Sequence, residues 1–285
     1  MVGPSRRREA VAMLQRRFPL SERRACRITG QHRSTQRRQP RRDRAEALRV
    51  WLRTFSRTRP RWGYRRAYVG LREEGWAVNH KRVEHLWREE GLRVPARRHK
   101  RRRLGSSTVP ATRLHAERPN QVWALDFQFD ETADGRILKL LNIVDEHTRE
   151  ALATLPRRRI DADATVATLD RIVATRGCAP EFIRMDNGPE LTAYALRDWC
   201  RSSGTGTSYI EPGSPWENAY VESFNGRLRD ELLSVEQFGT LLEAQVVIED
   251  WRIDYNMHRP HSSLGWLAPA VYAERWRATN PAGLS

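Results

Sequence analysis

The chain has 285 residues, 39% hydrophobic and 30% charged, with 51 Lys and Arg against 35 Asp and Glu and a net charge of +16. That length holds two or three domains of roughly 100–150 residues, and the basic balance points to a polyanionic partner, most simply nucleic acid. Cys26, Cys178 and Cys200 lie far apart, which excludes a CxxC zinc site and a disulfide framework, and no apolar run reaches the ~18 residues of a membrane span.

The first part of the chain reads as helical. "SRRREAVAMLQRRF" puts Ala10, Val11, Met13, Leu14 and Phe18 at helical spacing. In "LSERRACRITGQHRSTQRRQP" Ser21 is a cap, Gly30 a stop, Ser34 a second start and Pro40 a second stop. Two short helices around a glycine turn fit either a helix-turn-helix or a plain hairpin. A better case spans Arg61 to Val94. There Tyr64, Ala67, Tyr68 and Leu71 form one stripe, Gly75 closes the helix and Asn79 caps the next. Val83, Leu86 and Trp87 face inward, while His80, Lys81, Arg82 and Arg88 face outward toward a duplex. Pro95 to Arg113, with Lys100, Arg101, Arg102 and Arg103, reads as a basic linker able to track a DNA backbone.

Beyond the linker the pattern changes to strands. "QVWALDFQFD", "RILKLLNIVDE" and "EALATLP" follow one another at hairpin distance. "DADATVATLDRIVATRG" is then helical with Asp161 as its cap, "EFIRMDNG" a strand, "ELTAYALRDWCRSSG" a helix and "GTSYIEPG" a strand. A helix through "SPWENAYVESFNGRLRDELL" comes next, and "EQFGTLLEAQVVIEDWRIDYN" is an amphipathic helix. This order implies an α/β fold, a ribonuclease H-like core with a mixed five-stranded sheet, preceded by an all-α helix-turn-helix region. The expected domains are 1–94, helical; 95–115, linker; 116–235, catalytic core; and 236–285, helical tail. Charge divides the same way. Met1 to His115 holds 33 basic against 9 acidic residues, and Ala116 to Ser285 holds 18 against 26. One part grips phosphates, and the other suits bound cations. The N-terminus lacks an apolar signal core, so a cytoplasmic protein is expected.

Among the acids of the second part, some have structural explanations. Ser214, Pro215 and Glu217 make a capping box with proline at the first helical position. Asp230 and Glu231 fit solvated partners of Arg227 and Arg229. Three others stand out. Asp126 sits inside an apolar strand, where a charge is costly unless offset. Asp186 ends the strand "FIRM" ahead of Asn187 and Gly188, which also fits a plain turn. Glu222 lies with Asn218, Asn225 and Arg229 on one helical stripe beside the apolar face. Three carboxylates converging at one sheet edge would repel one another without cations, and hard oxygen donors suit Mg²⁺ or Mn²⁺, two ions serving in-line phosphoryl displacement. His258 and His261 flank Arg259 and Pro260, a spacing open to metal binding or to simple packing.

These stretches resemble the DDE transposases of bacterial insertion sequences, and within them the second-frame product of the insertion-sequence-three family, relatives of retroviral integrases. The matching segments are "YRRAYVGLREEGWAVNHKRVEHLWREEGL", "WALDFQF", "LLNIVDEHTRE", "IRMDNGPE", "EPGSPWENAYVESFNGRLRDELL" and "YNMHRPHSSLG". Thirty-five residues separate Asp186 from Glu222, and Arg229 lies seven beyond Glu222, both as in the family. The resemblance implies that Asp126, Asp186 and Glu222 bind two Mg²⁺, with Mn²⁺ as a substitute. It implies nicking at element ends, then attack of the freed 3′-hydroxyl on target DNA, with no covalent protein–DNA intermediate. It gives Asn187, Asn218, Asn225 and Arg229 roles in positioning DNA. It further implies a homo-oligomeric synaptic complex on the terminal repeats and target, and an upstream-frame product as partner. A non-catalytic DNA-binding regulator and a ribonuclease H-like nuclease are the alternative readings.

Overall fold

A computed structural model of the chain describes residues 4–37, 45–92, 94, 115–185, 194–209 and 218–280. The fold divides into two compact units, Met1–Thr54 and Phe55–Ser285. The first contains helices α1 (Pro4–Arg17), α2 (Glu22–Thr29) and α3 (Arg33–Arg37). Ser21 caps α2, its hydroxyl accepting from the Arg24 amide, and Gly30 ends it at φ 64°. Val11, Ala25, Cys26 and Leu14 pack together as a small core. The second start falls at Arg33 instead of Ser34, whose hydroxyl bonds the His32 ring at 2.7 Å. Helix α4 (Glu46–Thr58) was not among the expected elements; Leu48 and Leu52, four apart, form its buried face.

In the second unit, α5 (Tyr64–Glu73) and α6 (His80–Glu89) build the expected helix-turn-helix form. Gly75 takes φ 83°, a left-handed conformation costly for any residue with a Cβ, and lets the Trp76 amide reach back to the Leu71 carbonyl at 2.9 Å. The Asn79 side chain accepts from the Lys81 amide at 2.9 Å. Ala67 and Leu71 of α5 and Val83, Leu86 and Trp87 of α6 are buried. Long-range contacts tie this pair to the elements that follow in the same unit. Arg59 pairs with Asp254 and Arg61 with Asp230, and the Arg66 guanidinium donates to the Pro260 carbonyl at 3.4 Å.

The rest of the unit is a sheet between two helical layers. Its strands are β1 (Val122–Glu131), β2 (Ile137–Asp145), β3 (Ala151–Arg157), β4 (Phe182–Met185) and β5 (Gly206–Tyr209). Their order is β3-β2-β1-β4-β5. The first three form an antiparallel meander, and β4 and β5 run parallel to β1. Helix α7 (Ala162–Arg176), capped by Asp161, leads into β4, and α8 (Tyr194–Ser203) leads into β5. Helix α9 (Ala219–Leu228) runs into a π-helical turn at Arg229–Leu233, followed by α10 (Leu241–Met257), a 3-10 turn at Ser262–Leu264 and α11 (Pro269–Thr279). Side-chain alternation along the strands splits the core in two. Trp123, Leu125, Leu141, Ile143, Ile183 and Met185 face α7 and α8. Ala124, Leu138, Leu140 and Val144 face α9 and α10. Gly206 is required by packing: a Cβ there would lie 2.7 Å from the Phe182 ring. The result is the expected ribonuclease H-like α/β core. Among the described residues no helix is long and apolar enough to cross a membrane.

Candidate active site

The same alternation that puts Ala124 under α9 also puts Asp126 and Gln128 there. Asp126 stands directly opposite Asn142 in the β1–β2 register, so three polar side chains interrupt an otherwise apolar face. Helix α9 meets them with matching groups. The Asn225 amide nitrogen donates to Asp126 Oδ2 at 2.7 Å, and Asn225 Oδ1 accepts from the Asn142 amide at 2.7 Å. Asn142 also donates to Gln128 Oε1 at 3.2 Å, and Gln128 donates to the Asn225 carbonyl at 3.2 Å. Asn142 is fully buried. With its Oδ1 held by Asn142, Asn225 can turn only its donor toward Asp126. Asn142 and Gln128 were not among the expected site residues. A buried amide in the apolar run "LKLLNIVD" was the available signal.

Two further contacts seat α9 along β1. The Asn218 amide donates to the Leu125 carbonyl at 3.3 Å, and the Arg229 guanidinium donates to the Phe129 carbonyl at 2.8 Å. Asn218 is only 4% exposed. Asn218 and Asn225, both expected to position DNA, therefore bond the sheet, Asn218 to β1 and Asn225 to β1 and β2. Glu222 lies four residues after Asn218 and three before Asn225, on the stripe those contacts define. Its side chain is exposed, free of the packing that holds its neighbours. Side chains three apart on a helix are about 5–6 Å apart at Cβ, so Glu222 stands one turn from the amide that touches Asp126. Asp186 and Asn187 lie outside the described residues, as do Lys100, Arg101, Arg102, Arg103, Ser214 and Glu217. Strand β4 ends at Met185, and its pairing with β1, Ala124 opposite Arg184, brings that end beside Leu125, one residue from Asp126. Among the described residues no three His, Cys, Asp or Glu side chains gather as a metal-holding group.

Charges around the site are paired over long distances. Arg184 of β4, 2% exposed, donates from Nη1 to both carboxylate oxygens of Glu146 at 2.6 and 2.7 Å. Asp230 and Glu231 are not the solvated partners of Arg227 and Arg229 that the sequence suggested. The π-helical turn shifts the helical phase, so Asp230 reaches Arg61 and Glu231 turns inward to Arg259, Oε2 to Nε 2.9 Å. Burial pushes the Glu231 carboxyl up, and the Arg259 hydrogen bonds and charge more than offset that, leaving its pKa below 4.5. His261 is buried against Tyr255, ring centroids 5.0 Å apart. Burial first, and then the guanidiniums of Arg259, Arg227, Arg66 and Arg149, push its pKa from 6.5 down to about 2. His258 is exposed and pairs with Asp254 at 3.3 Å. The two histidines thus face different surroundings, His261 buried and His258 exposed.

On α6 the side chains of His80, Lys81, Arg82 and Arg88 are exposed, as expected. His80 lies edge-on to Tyr68, 6.1 Å between ring centroids, and Arg88 bonds Glu84 at 3.0 Å one turn away.

Comparison with known proteins agrees with this architecture. Two models described as "Integrase core domain" match residues 116–215 and 203–269, and one described as "HTH-like domain" matches residues 41–101. The chain is 41% identical over 277 residues to "Insertion element IS476 uncharacterized 39.2 kDa protein" of Xanthomonas euvesicatoria, covering 97% of this chain and 79% of that one. It is 40% identical over 270 residues to "Insertion element IS407 uncharacterized 31.7 kDa protein" of Burkholderia multivorans, covering 94% and 96%. It is 26% identical to "Putative transposase InsK for insertion sequence element IS150" of Escherichia coli, over 76% of this chain and 79% of that one. The HTLV-2 integrase catalytic core solved with magnesium is 18% identical, covers 55% of this chain and 98% of that chain, and has a TM-score of 0.44; the fold assignment rests on the strand order itself. With an integrase core behind a helix-turn-helix and near-complete coverage by insertion-element relatives, the chain belongs to the DDE transposases of bacterial insertion sequences, of the insertion-sequence-three type.

Proposed function

We propose that Asp126, Asp186 and Glu222 are the ligands through which this transposase holds its divalent cations, two Mg²⁺ with Mn²⁺ as a working substitute. The observation that carries this reading is Asn225. Its amide ties the β1 carboxylate to the helical stripe that bears Glu222, 2.7 Å from Asp126. The end of β4 at Met185 delivers the chain to the same edge one residue before Asp186. An all-oxygen donor set fits hard divalent cations. Bound there, such ions supply Lewis-acid stabilisation to the attacking and leaving oxygens of an in-line phosphoryl displacement.

The remaining work falls to the protein. Asn225, set by Asn142, holds Asp126 in its orientation. Arg229, at the far end of the stripe, fixes α9 to β1 and leaves its exposed guanidinium beside the DNA path. The α5–α6 pair, with His80, Lys81, Arg82 and Arg88, engages the duplex, and the basic residues Lys100 to Arg103 and Asn187 add contacts to phosphates. In the first step water replaces the 3′-oxygen at phosphorus. In the second the freed 3′-hydroxyl replaces a target oxygen, so one P–O bond forms for each one broken. The chain acts on element terminal repeats and target DNA as a homo-oligomeric synaptic complex in the bacterial cytoplasm, with an upstream-frame product as its partner. A DNA-binding regulator without catalysis would have no use for an amide chain that presents Asp126.

The test is purified protein, Mg²⁺ and a labelled duplex carrying the element's ends. Wild type should give nicked and joined products. Asp126→Asn, Asp186→Asn and Glu222→Gln should give neither while binding the duplex as wild type does. Parallel loss of binding and cleavage would overturn the assignment.

A further inference from the structure

Beside the duplex-facing helix lies a groove that the reaction does not use. It has a volume of about 720 Å³ and is lined by Tyr64, Tyr68, His80 and Trp266, with Arg65 and Arg72 and the carboxylates Glu73 and Glu84 at its polar margin. The first three rings come from α5 and the first residue of α6. Trp266 comes from the loop after the 3-10 turn, far away in sequence. A volume of this size lined by rings and a few polar groups lies in the range of small-molecule sites.

Trp266 is held there at a cost. Its backbone has φ 69°, in the left-handed region that a bulky side chain rarely adopts. Backbone hydrogen bonds impose this conformation: the Trp266 amide to the His261 carbonyl at 2.8 Å, and the His261 amide to the Leu267 carbonyl at 3.0 Å. Below them His261 and Arg259 are buried, and Arg259 is clamped to Glu231. A rigidly anchored loop therefore displays a large indole beside the helix that faces DNA. Packing alone does not require this, since Trp266 keeps part of its surface exposed.

We propose that this groove takes a single unstacked nucleobase of the DNA bound by α5 and α6. The inference rests on the DNA-binding reading of those helices. Aromatic faces stack on any base, and arginine adds cation–π attraction. Glu73 argues for a base over a phosphate: its carboxylate repels phosphate but accepts from the exocyclic amines of cytosine and adenine, while Glu84 is held by Arg88. Position agrees, since His80 is the first residue of the helix whose N-terminal end reads base edges in this motif. Transposition places strand ends and distorted junctions at the protein, where unstacking is least costly.

The experiment uses the full chain and two short duplexes of one sequence, one fully paired and one carrying a single 2-aminopurine as an unpaired bulge. Wild type should bind the bulged duplex about tenfold more tightly than the paired one, within the range of one stacked base, and should quench the 2-aminopurine. Trp266→Gly removes the ring and suits the positive φ, so the loop keeps its conformation. It should erase the preference and the quenching while leaving affinity for the paired duplex unchanged. Trp266→Phe should keep most of the preference. A wild-type protein that binds both duplexes equally, as expected of a groove that takes a peptide, would overturn the proposal, as would a Trp266→Gly variant that keeps the preference. Failure to bind either duplex would instead overturn the DNA-binding reading on which it rests.

Discussion

Asn225→Ala is the most informative substitution at the site, because it leaves every proposed metal ligand in place. It removes the donor that sits 2.7 Å from Asp126 Oδ2 and the acceptor that sits 2.7 Å from the Asn142 amide. A hydrogen bond to a charged group contributes about 1.5–3 kcal/mol. If that energy serves to hold Asp126 in its working orientation, the barrier rises by the same amount, and cleavage slows roughly 10–100-fold. Asn142 is fully buried and keeps only its bond to Gln128 at 3.2 Å. The fold should therefore also lose about 1–3 kcal/mol, which a domain of ordinary stability, about 5–15 kcal/mol, survives. The assay is single-turnover nicking of a labelled end duplex, alongside anisotropy measurements of DNA affinity and a urea melt. Slow cleavage, unchanged affinity and a higher Mg²⁺ requirement are expected. Cleavage at the wild-type rate would refute the positioning role, and loss of affinity in step with cleavage would return Asn225 to a DNA contact.

Other outcomes follow from the paired charges. His261 titrates at about 2 when folded, against 6.5 unfolded, so the unfolded state binds the extra proton. Its contribution to stability is complete above pH 6.5 and is lost as pH falls, by about 1.4 kcal/mol per unit. Urea melts of His261→Asn between pH 7 and 5 should show that much less acid sensitivity than wild type, and equal slopes would contradict the shift. Arg259→Met leaves Glu231 buried without its partner and should cost about 3–5 kcal/mol. Adding Glu231→Gln should recover much of this, and a double variant as unstable as the single one would count against the pairing. Lys81→Ala or Arg82→Ala should lower the slope of log affinity against log salt by about 1 each if those cations touch phosphate; an unchanged slope would remove them from the interface.

Much of the fold was legible because its signals are local. Strands β1 to β4 lie in short apolar runs, and Asp161, Asn79, Gly30 and Gly75 mark helix ends where the structure has them. Asp126 was legible as a charge in an apolar strand, and Glu222 through the spacing of its stripe. What local pattern could not supply was partners. Arg184 in "FIRM" meets Glu146, thirty-eight residues away, and Glu231 meets Arg259 across twenty-eight. The π-helical turn at Arg229–Leu233 breaks the 3.6-residue phase, so a surface reading of Asp230 and Glu231 fails there. The inward commitment of Asn218 and Asn225 was hidden for a related reason. Helical spacing fixes which residues share a stripe but not which strand that stripe meets.

The central claim, that three carboxylates share divalent cations, is tested most directly by counting them. Calorimetric titration of Mn²⁺ into the protein bound to end duplex should give two ions per active site. Asp126→Asn, Asp186→Asn and Glu222→Gln should each lower that number or weaken the binding steeply. Wild-type stoichiometry and affinity in all three variants would contradict the account.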